Sequence, residues 1–359
     1  MSHPKLFIPG PVQVSAKTYE AFCRPMIGHR SKAFQELYAA VQPGLQALFQ
    51  TRQPVFLCTG SAWCVMEAAI RNLVRQKVLV CMSGAFSDKW FDVARKCGKA
   101  AEKLQVEWGQ AIKPEAVRAA LARGEFDAIT LIHNETSTGT MNPLKEIAAV
   151  VREFPDVMLI TDVVSSFTVV PTPFDELGAD VMLAGVQKAL ALPPGVAVFT
   201  VSERAFARCA EISDRGYYMD FLEFKKNAES NMTPTTPSIS HLYALQSKVE
   251  EILAEGLEAR YARHAATNRM VRDWARTHGF DLFPEAGYES VSLTCIRNNR
   301  EIDVAALAQW MKANANMVID QGYGKVKGKT FRLSNMGDET EATVGELLAN
   351  LDRALAALT

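Results

Sequence analysis

The stretch "LAGVQKALALPPG", residues 183–195, sets a lysine between an apolar run and a Pro-Pro-Gly turn. Taking an ammonium out of water is costly unless it is neutralised or bonded, so Lys188 makes a poor core residue. Read singly, it is a snorkelling surface lysine. Other segments change that reading. In "TGSAWCVMEAA", Thr59, Gly60 and Ser61 lead straight into a helical pattern. Small residues there let backbone N–H groups approach an anion, and a helix N-terminus favours negative charge. Ser61 reads equally well as a plain N-cap. "TDVVSSF" puts Asp162 at the end of an apolar run, where a lone aspartate is ordinarily a cap or a salt-bridge member. "HNETSTG", residues 133–139, is unusually polar for a segment leaving a buried strand.

These residues need elements to hold them. "PVFLCTG", "KVLVCMSG", "FDAITLIHNE", "DVMLITDVVSS", "ADVMLAGVQK" and "GVAVFTVS" read as strands. "SAWCVMEAAIRNLV", "SDKWFDVARKCG", "KPEAVRAALARG" and "LKEIAAVVREF" read as the intervening helices. Buried strands alternating with such helices imply a largely parallel sheet covered on both faces. The last two strands are candidate neighbours, because "ALPPG" is short enough for a local reversal. Upstream, the prolines of "IPGPV" favour an extended arm, and Ser31–Gln50 reads as a helix broken once at Pro43-Gly44. Between about Asp214 and Thr236 the pattern lapses into a long segment of mixed chemistry, the kind that is usually functional or contacts a partner. "SISHLYALQSKVEEILAEGLEARYARHAATNRMVRDWARTHG" is then strongly helical, and the strands and helices after about Phe280 form a smaller α+β unit.

In open α/β sheets ligands sit at the carboxyl ends of the strands. An anion-binding turn, an acid and a lysine on three such ends make the set that a pyridoxal 5′-phosphate (PLP) enzyme requires. The lysine must be deprotonated to attack the aldehyde, and desolvation lowers its pKa. The carboxylate keeps the ring nitrogen protonated, and the cradle anchors the phosphate. A dinucleotide reading fails, because no G-x-G-x-x-G and no acidic residue at its spacing is present.

Composition excludes other classes. A net charge of -1 over 359 residues leaves no footprint for nucleic acid or an anionic membrane. The seven cysteines contain no C-x-x-C and lie mostly in apolar stretches, which implies free thiols and a cytoplasmic setting. No signal-peptide pattern opens the chain, and no run approaches the ~18 apolar residues of a membrane span.

"SGAFSDKW", "HNETSTGTMNPL", "LITDVVSSF" and "GVQKALALPPG", in this order and spacing, resemble the class V aminotransferases of fold-type I. The closest likeness is to the alanine–glyoxylate and serine–pyruvate branch, and it runs from "PGPV" to "RLSNMGD". The resemblance implies an α/β fold-type I PLP-transferase. Its large domain would carry a mostly parallel seven-stranded sheet between helices, followed by a smaller C-terminal α+β domain. The expected bounds are 1–15 for an N-terminal arm, 16–255 and 256–359.

Carried onto this chain, the resemblance makes Lys188 the Schiff-base lysine and later the proton carrier, and pairs Asp162 with the pyridinium nitrogen. Gly60, Ser61 and Ala62 would surround the phosphate. Phe86 would stack on the ring, where many members have tryptophan. Thr136 would meet the ring's 3-oxygen region and Gln187 the phosphate. Tyr243 with Thr235 or Thr236 matches the region that a partner subunit contributes to the same phosphate, so a homodimer with shared sites is expected. Arg332 would grip the substrate α-carboxylate, and Gly28 matches a small residue near the substrate.

The implied reaction is ping-pong transamination, from a small amino acid of the alanine or serine type to a 2-oxo acid such as glyoxylate or pyruvate. "GHRSKAF" keeps an alternative in play. His29 and Arg30 resemble the pair with which phosphoserine aminotransferases meet a phosphate or second carboxylate, yet they also read as a charged loop before an N-cap at Ser31. A cysteine desulfurase is disfavoured, because Phe86 holds the stacking position and Cys295 lies mid-strand. A non-catalytic PLP-fold binding protein would show erosion of the lysine, the aspartate or the arginine, and all three are present.

Overall fold

The computed structural model describes residues 3–358. Seven strands form its main sheet: β1 (Val55–Thr59), β2 (Lys77–Met82), β3 (Ala100–Gln105), β4 (Ala128–Ile132), β5 (Met158–Asp162), β6 (Val181–Gly185) and β7 (Val196–Val201). Their order across the sheet is β1-β7-β6-β5-β4-β2-β3. All neighbours run parallel except β7, which is antiparallel to both β1 and β6. The short "ALPPG" link thus does reverse the chain locally. Strands β4 to β7 are buried along their whole length, as a sheet covered on both faces demands.

Two apolar cores flank the sheet. One joins it to helices Lys32–Phe49 and Ile239–Glu255, the other to helices Ala62–Leu73 and Ala85–Lys96. A third core gathers helices Leu257–Thr277, Val304–Ala315 and Glu341–Leu358 around the antiparallel pair Leu293–Arg297 and Thr330–Ser334. The N-terminal arm ties that core to the sheet. Lys5–Leu6 pairs in parallel with Met317–Val318, Phe7 is buried in the third core, and the Val12 N–H donates to the Gln187 carbonyl at 3.1 Å.

Three sequence expectations need correction, and one strand has no counterpart in the sequence reading. Helix Lys32–Phe49 runs unbroken through Pro43. Gly44 serves packing there rather than a break, since a Cβ on it would clash with Val249 Cγ1. The mixed segment between 214 and 236 contains a helix, Phe221–Ala228, whose first turn is capped by Asp220 accepting from the Leu222 N–H at 2.9 Å. The long helical run after Ser238 divides at Gly256, where φ is +83°. Strand β3 carried no signal, because "AAEKLQ" lies on the sheet edge and is half-exposed along its length.

Candidate active site

The polar segments singled out in the sequence converge at the carboxyl ends of β1, β4, β5 and β6. There a cavity of about 130 Å³ is lined by Ser61, Ala62, Phe86, Thr136, Asp162, Gln187 and Lys188, together with Trp63, Asn134, Val164 and Ser165. Gly60 sits at the turn into this wall, its N–H donating to the Gly195 carbonyl at 2.8 Å.

Each wall has a local cause. Ser61 is the N-cap of helix Ala62–Leu73 by backbone geometry, but its side chain makes no cap bond. Ser61 thus opens the helix at the cavity wall without using its side chain as a cap. Asp162 ends β5 with only 3% of its surface exposed, and its Oδ1 accepts from the Val164 N–H at 2.8 Å. Burial pushes its carboxyl up to about 7, and the charge of Glu135 adds to that. Lys188 is half-buried beyond β6, and its Nζ donates to the Pro9 carbonyl. Burial pushes its ammonium down to about 8, Arg332 contributes in the same direction, and Asp162 and Asp320 oppose it. The arm at Pro9-Gly10 forms a lid on the lysine, since a Cβ on Gly10 would stand 2.7 Å from both Cδ and Nζ.

A second layer holds the first. Thr136 Oγ1 and Ser165 Oγ lie 2.7 Å apart, and Asn134 Nδ2 donates to Ser165 Oγ at 2.9 Å and to Ser292 Oγ at 2.8 Å. Asn134 Oδ1 is buried and has no hydrogen-bond partner among the described residues. Glu135, fully buried, accepts from the N–H groups of Phe86 at 3.3 Å and Ser87 at 2.9 Å, and from Ser137 Oγ at 2.6 Å. It thereby anchors the helix start that carries Phe86. The outer aromatic layer is Tyr323, stacked on Phe86 with ring centres 5.2 Å apart. Arg332 is 3% exposed, donates from Nε to Asp320 Oδ1 at 2.7 Å and from Nη1 to the Thr136 carbonyl at 2.7 Å, and stands over Tyr323. Glu135, Asp320, Tyr323 and the Pro9-Gly10 lid escaped sequence reasoning. Only the polarity of "HNETSTG" pointed to any of them.

The remaining residues named from the sequence lie apart from this cavity. Tyr243 is buried in the core of helix Ile239–Glu255, beneath the Arg24 guanidinium at 4.6 Å. Thr235 lines a separate shallow groove beside β1, and Thr236 is exposed. Gly28 and Arg30 are exposed and His29 is half-buried. Arg30 donates to the carbonyls of Thr233 at 2.8 Å and Pro234 at 3.2 Å. Ser31 caps its helix as expected, accepting from the Phe34 N–H at 3.3 Å. All seven cysteines are unpaired. Among the described residues no cluster of metal-ligating side chains occurs, and no helix is long and apolar enough to cross a membrane.

Comparison with known proteins decides the family. The model for aminotransferase class V matches residues 12–339. The chain is a class V aminotransferase. It is 36% identical over 355 residues to an uncharacterised aminotransferase of Methanocaldococcus jannaschii, covering 98% of this chain and 92% of that one. It is 29% identical to the serine–glyoxylate aminotransferase of Methylorubrum extorquens, covering 98% and 90%. Among solved structures, the alanine–glyoxylate aminotransferase of Nostoc sp. superposes with a TM-score of 0.93 at 28% identity, covering 99% of this chain and 96% of that one. The fold is accordingly fold-type I, and the class V enzymes depend on PLP.

The cavity of this aminotransferase fits the cofactor on its own chemistry. It holds a lysine with a depressed pKa, a buried carboxylate short of a positive partner, an orphaned amide oxygen and a helix start without a side-chain cap. Phe86 and Val164 supply apolar surface for a flat ring.

Proposed function

We propose that this aminotransferase moves the amino group of a small amino acid of the alanine or serine type to a 2-oxo acid such as glyoxylate or pyruvate, in two half-reactions at the Lys188 cavity. The observation that carries this reading is the joining of Lys188, Asp162 and the Ser61 helix start in one cavity, with Arg332 tied to its Thr136 wall. Relatives named for serine–glyoxylate, L-aspartate–glyoxylate and pyridoxamine–pyruvate transfer support the substrate class. The phosphoserine aminotransferase of Cytophaga hutchinsonii is 22% identical and shares the fold. Arg30, bonded to the carbonyls of 233 and 234, gives no support within this chain to a phosphate site.

When bound, PLP supplies an aldehyde that takes up the amino group and a ring that withdraws electrons from the substrate Cα. Lys188, pushed down to about 8, is neutral in a large fraction of molecules near pH 8 and serves as the base that moves the Cα proton. Asp162 holds a proton on the ring nitrogen, and that positive partner satisfies the carboxylate burial now penalises. Gly60, Ser61, Ala62 and Gln187 bind the phosphate, Phe86 and Thr136 orient the ring, and Arg332 binds the α-carboxylate by charge-assisted bonds.

The active unit we propose is a homodimer. Tyr19, Met26, Tyr217 and Tyr218 are exposed large side chains in the same two segments, 16–30 and 214–236, that carry Gly28, His29, Arg30, Thr235 and Thr236. A monomer gains nothing from exposing them, whereas a second copy buries them and brings those residues to its own cavity.

The test is a panel of half-reactions with L-alanine, L-serine, glycine and L-phosphoserine, read by bleaching of the bound cofactor's visible band. Turnover is expected with the small amino acids, and Lys188→Ala is expected to lose both colour change and activity. A preference for phosphoserine that disappears in Arg30→Ala would overturn the substrate reading, and a colourless protein after PLP addition would overturn the whole.

A further inference from the structure

A guanidinium offers a carboxylate two edges with paired donors, Nε–Nη2 and Nη1–Nη2. In Arg332 the first edge is taken, because Nε donates to Asp320 Oδ1 at 2.7 Å. One Nη1 hydrogen is also committed, to the Thr136 carbonyl. Among the described residues Nη2 donates to no acceptor, so both Nη2 hydrogens and the second Nη1 hydrogen stay available on the outer side. Asp320 cannot drift from this post. It faces Arg332 across an antiparallel bridge, with the Arg332 N–H on the Asp320 carbonyl at 2.9 Å and the Asp320 N–H on the Arg332 carbonyl at 3.3 Å. Its Oδ1 also accepts from the Gly322 N–H at 2.8 Å. Gly322 holds φ +87° with no room for a side chain, since a Cβ would lie 2.6 Å from the Thr330 carbonyl oxygen. The Tyr323 ring, 5.5 Å from Arg332 Cζ, covers the guanidinium face.

Resting on the reading of Arg332 as the substrate clamp, we propose that Asp320 is its positioning residue: it occupies the inner edge and leaves only the Nη1–Nη2 edge for the substrate α-carboxylate. Asp320 has a second effect through charge. The charged groups that act on the Lys188 ammonium are Arg332, which destabilises it, and Asp162 and Asp320, which stabilise it. Asp320 therefore shields the lysine from the arginine that must stand near it. Without Asp320 the guanidinium loses its inner-edge anchor and keeps only the Thr136 carbonyl, and the lysine meets its charge undiminished.

The experiment uses Asp320→Ala, Asp320→Asn and Arg332→Ala in the PLP-loaded enzyme, with steady-state kinetics for L-alanine and pyruvate. Alongside, the pH dependence of Lys188 acylation is followed by mass spectrometry in the cofactor-free protein. Loss of one charged hydrogen bond to the clamp is expected to raise KM for both substrates about tenfold in Asp320→Ala, with kcat within about threefold. Asp320→Asn keeps an acceptor oxygen and is expected to raise KM less. In both, the half-labelling pH of Lys188 is expected to move downward, because a stabilising negative charge is gone. An unchanged KM in Asp320→Ala, with a raised KM in Arg332→Ala, overturns the role of Asp320 and spares the clamp. An unchanged KM in Arg332→Ala overturns the clamp itself. Joint collapse of kcat, KM and cofactor retention, with the Lys188 labelling pH unmoved in Asp320→Asn, shows a merely structural part and also overturns the proposal.

Discussion

Gly10 is the position where a single methyl group tests the active-site geometry most directly. Its φ is +120°, and a Cβ placed on it would stand 2.7 Å from Lys188 Cδ and Nζ and 2.9 Å from Cε. Non-bonded carbons are comfortable at about 3.5–4.0 Å, so Gly10→Ala forces a displacement of about 1 Å. The neighbour that yields is the lysine tip, the far end of a flexible side chain. Two costs arise. An L residue in this backbone region is strained by about 1–3 kcal/mol, and that cost falls on folding. A displacement of about 1 Å in a reacting group costs up to about 10²-fold in rate, and that cost falls on kcat. Gly98→Ala separates the two, because Gly98 holds φ +77° with nothing within 4 Å of its Cβ position. The assay pairs urea denaturation with single-turnover bleaching of the cofactor band for L-alanine. Gly10→Ala is expected to lose about 10–100-fold in rate, with a stability loss of the same order as that of Gly98→Ala, whose rate stays at the parent value. Parent-like turnover in Gly10→Ala, or an equal rate loss in Gly98→Ala, would refute the placing of the arm against Lys188.

Two further predictions concern buried carboxylates. The Asp162 carboxyl rises from 3.8 to about 7 on folding, so in the cofactor-free protein its contribution to stability is fully present below about pH 4 and is lost as pH rises through about 7. At 1.36 kcal/mol per unit this amounts to about 4 kcal/mol at most, and Asp162→Asn is expected to flatten the urea midpoint between pH 4 and 7; an unaltered slope speaks against it. Lys188 works in the opposite sense, its contribution being present above about pH 10.5 and lost as pH falls through about 8. Glu135→Gln replaces an acceptor-only group by an amide that points N–H at donors of Phe86, Ser87 or Ser137. A loss of about 1–3 kcal/mol, with weaker PLP retention because Phe86 is no longer fixed, is the expected result of denaturation and cofactor titration. Parent-like values in both would show that Glu135 does not anchor that helix start.

The parts of the site that were legible in the sequence are those whose signal is local. Lys188 draws notice because an ammonium shortly before "PPG" sits in an apolar context, and Asp162 because it ends an apolar run. Singly they read as a surface lysine and a cap, and their roles come from their joint occurrence with Ser61 and from the family resemblance. Ser61 was ambiguous in sequence, since cap and cradle need the same small residue before the same helix. In the structure its side chain makes no cap bond, and the cradle role is part of the proposed function. What escaped was set by partners distant in the chain. Pro9 meets Lys188 across 179 residues and the Arg332 guanidinium meets the Thr136 carbonyl across 196, while Glu135 looks like any acid in a polar loop until the N–H groups of Phe86 and Ser87 stand opposite it. Two aspartates show the difference. Asp162 ends its own strand, so its position in the sequence marks it as a candidate, although Trp90, Glu135 and Lys188, which act on it, come from elsewhere in the chain. Asp320 lies in "VIDQGYGK", a turn-rich stretch in which an aspartate is unremarked, and its meaning comes from the arginine across the bridge. The same logic applies to Tyr243, Thr235 and Arg30, which this chain keeps outside its own cavity. In the proposed homodimer a second copy would supply the cavity they serve, so the resemblance names them while the single chain leaves them away from the Lys188 cavity.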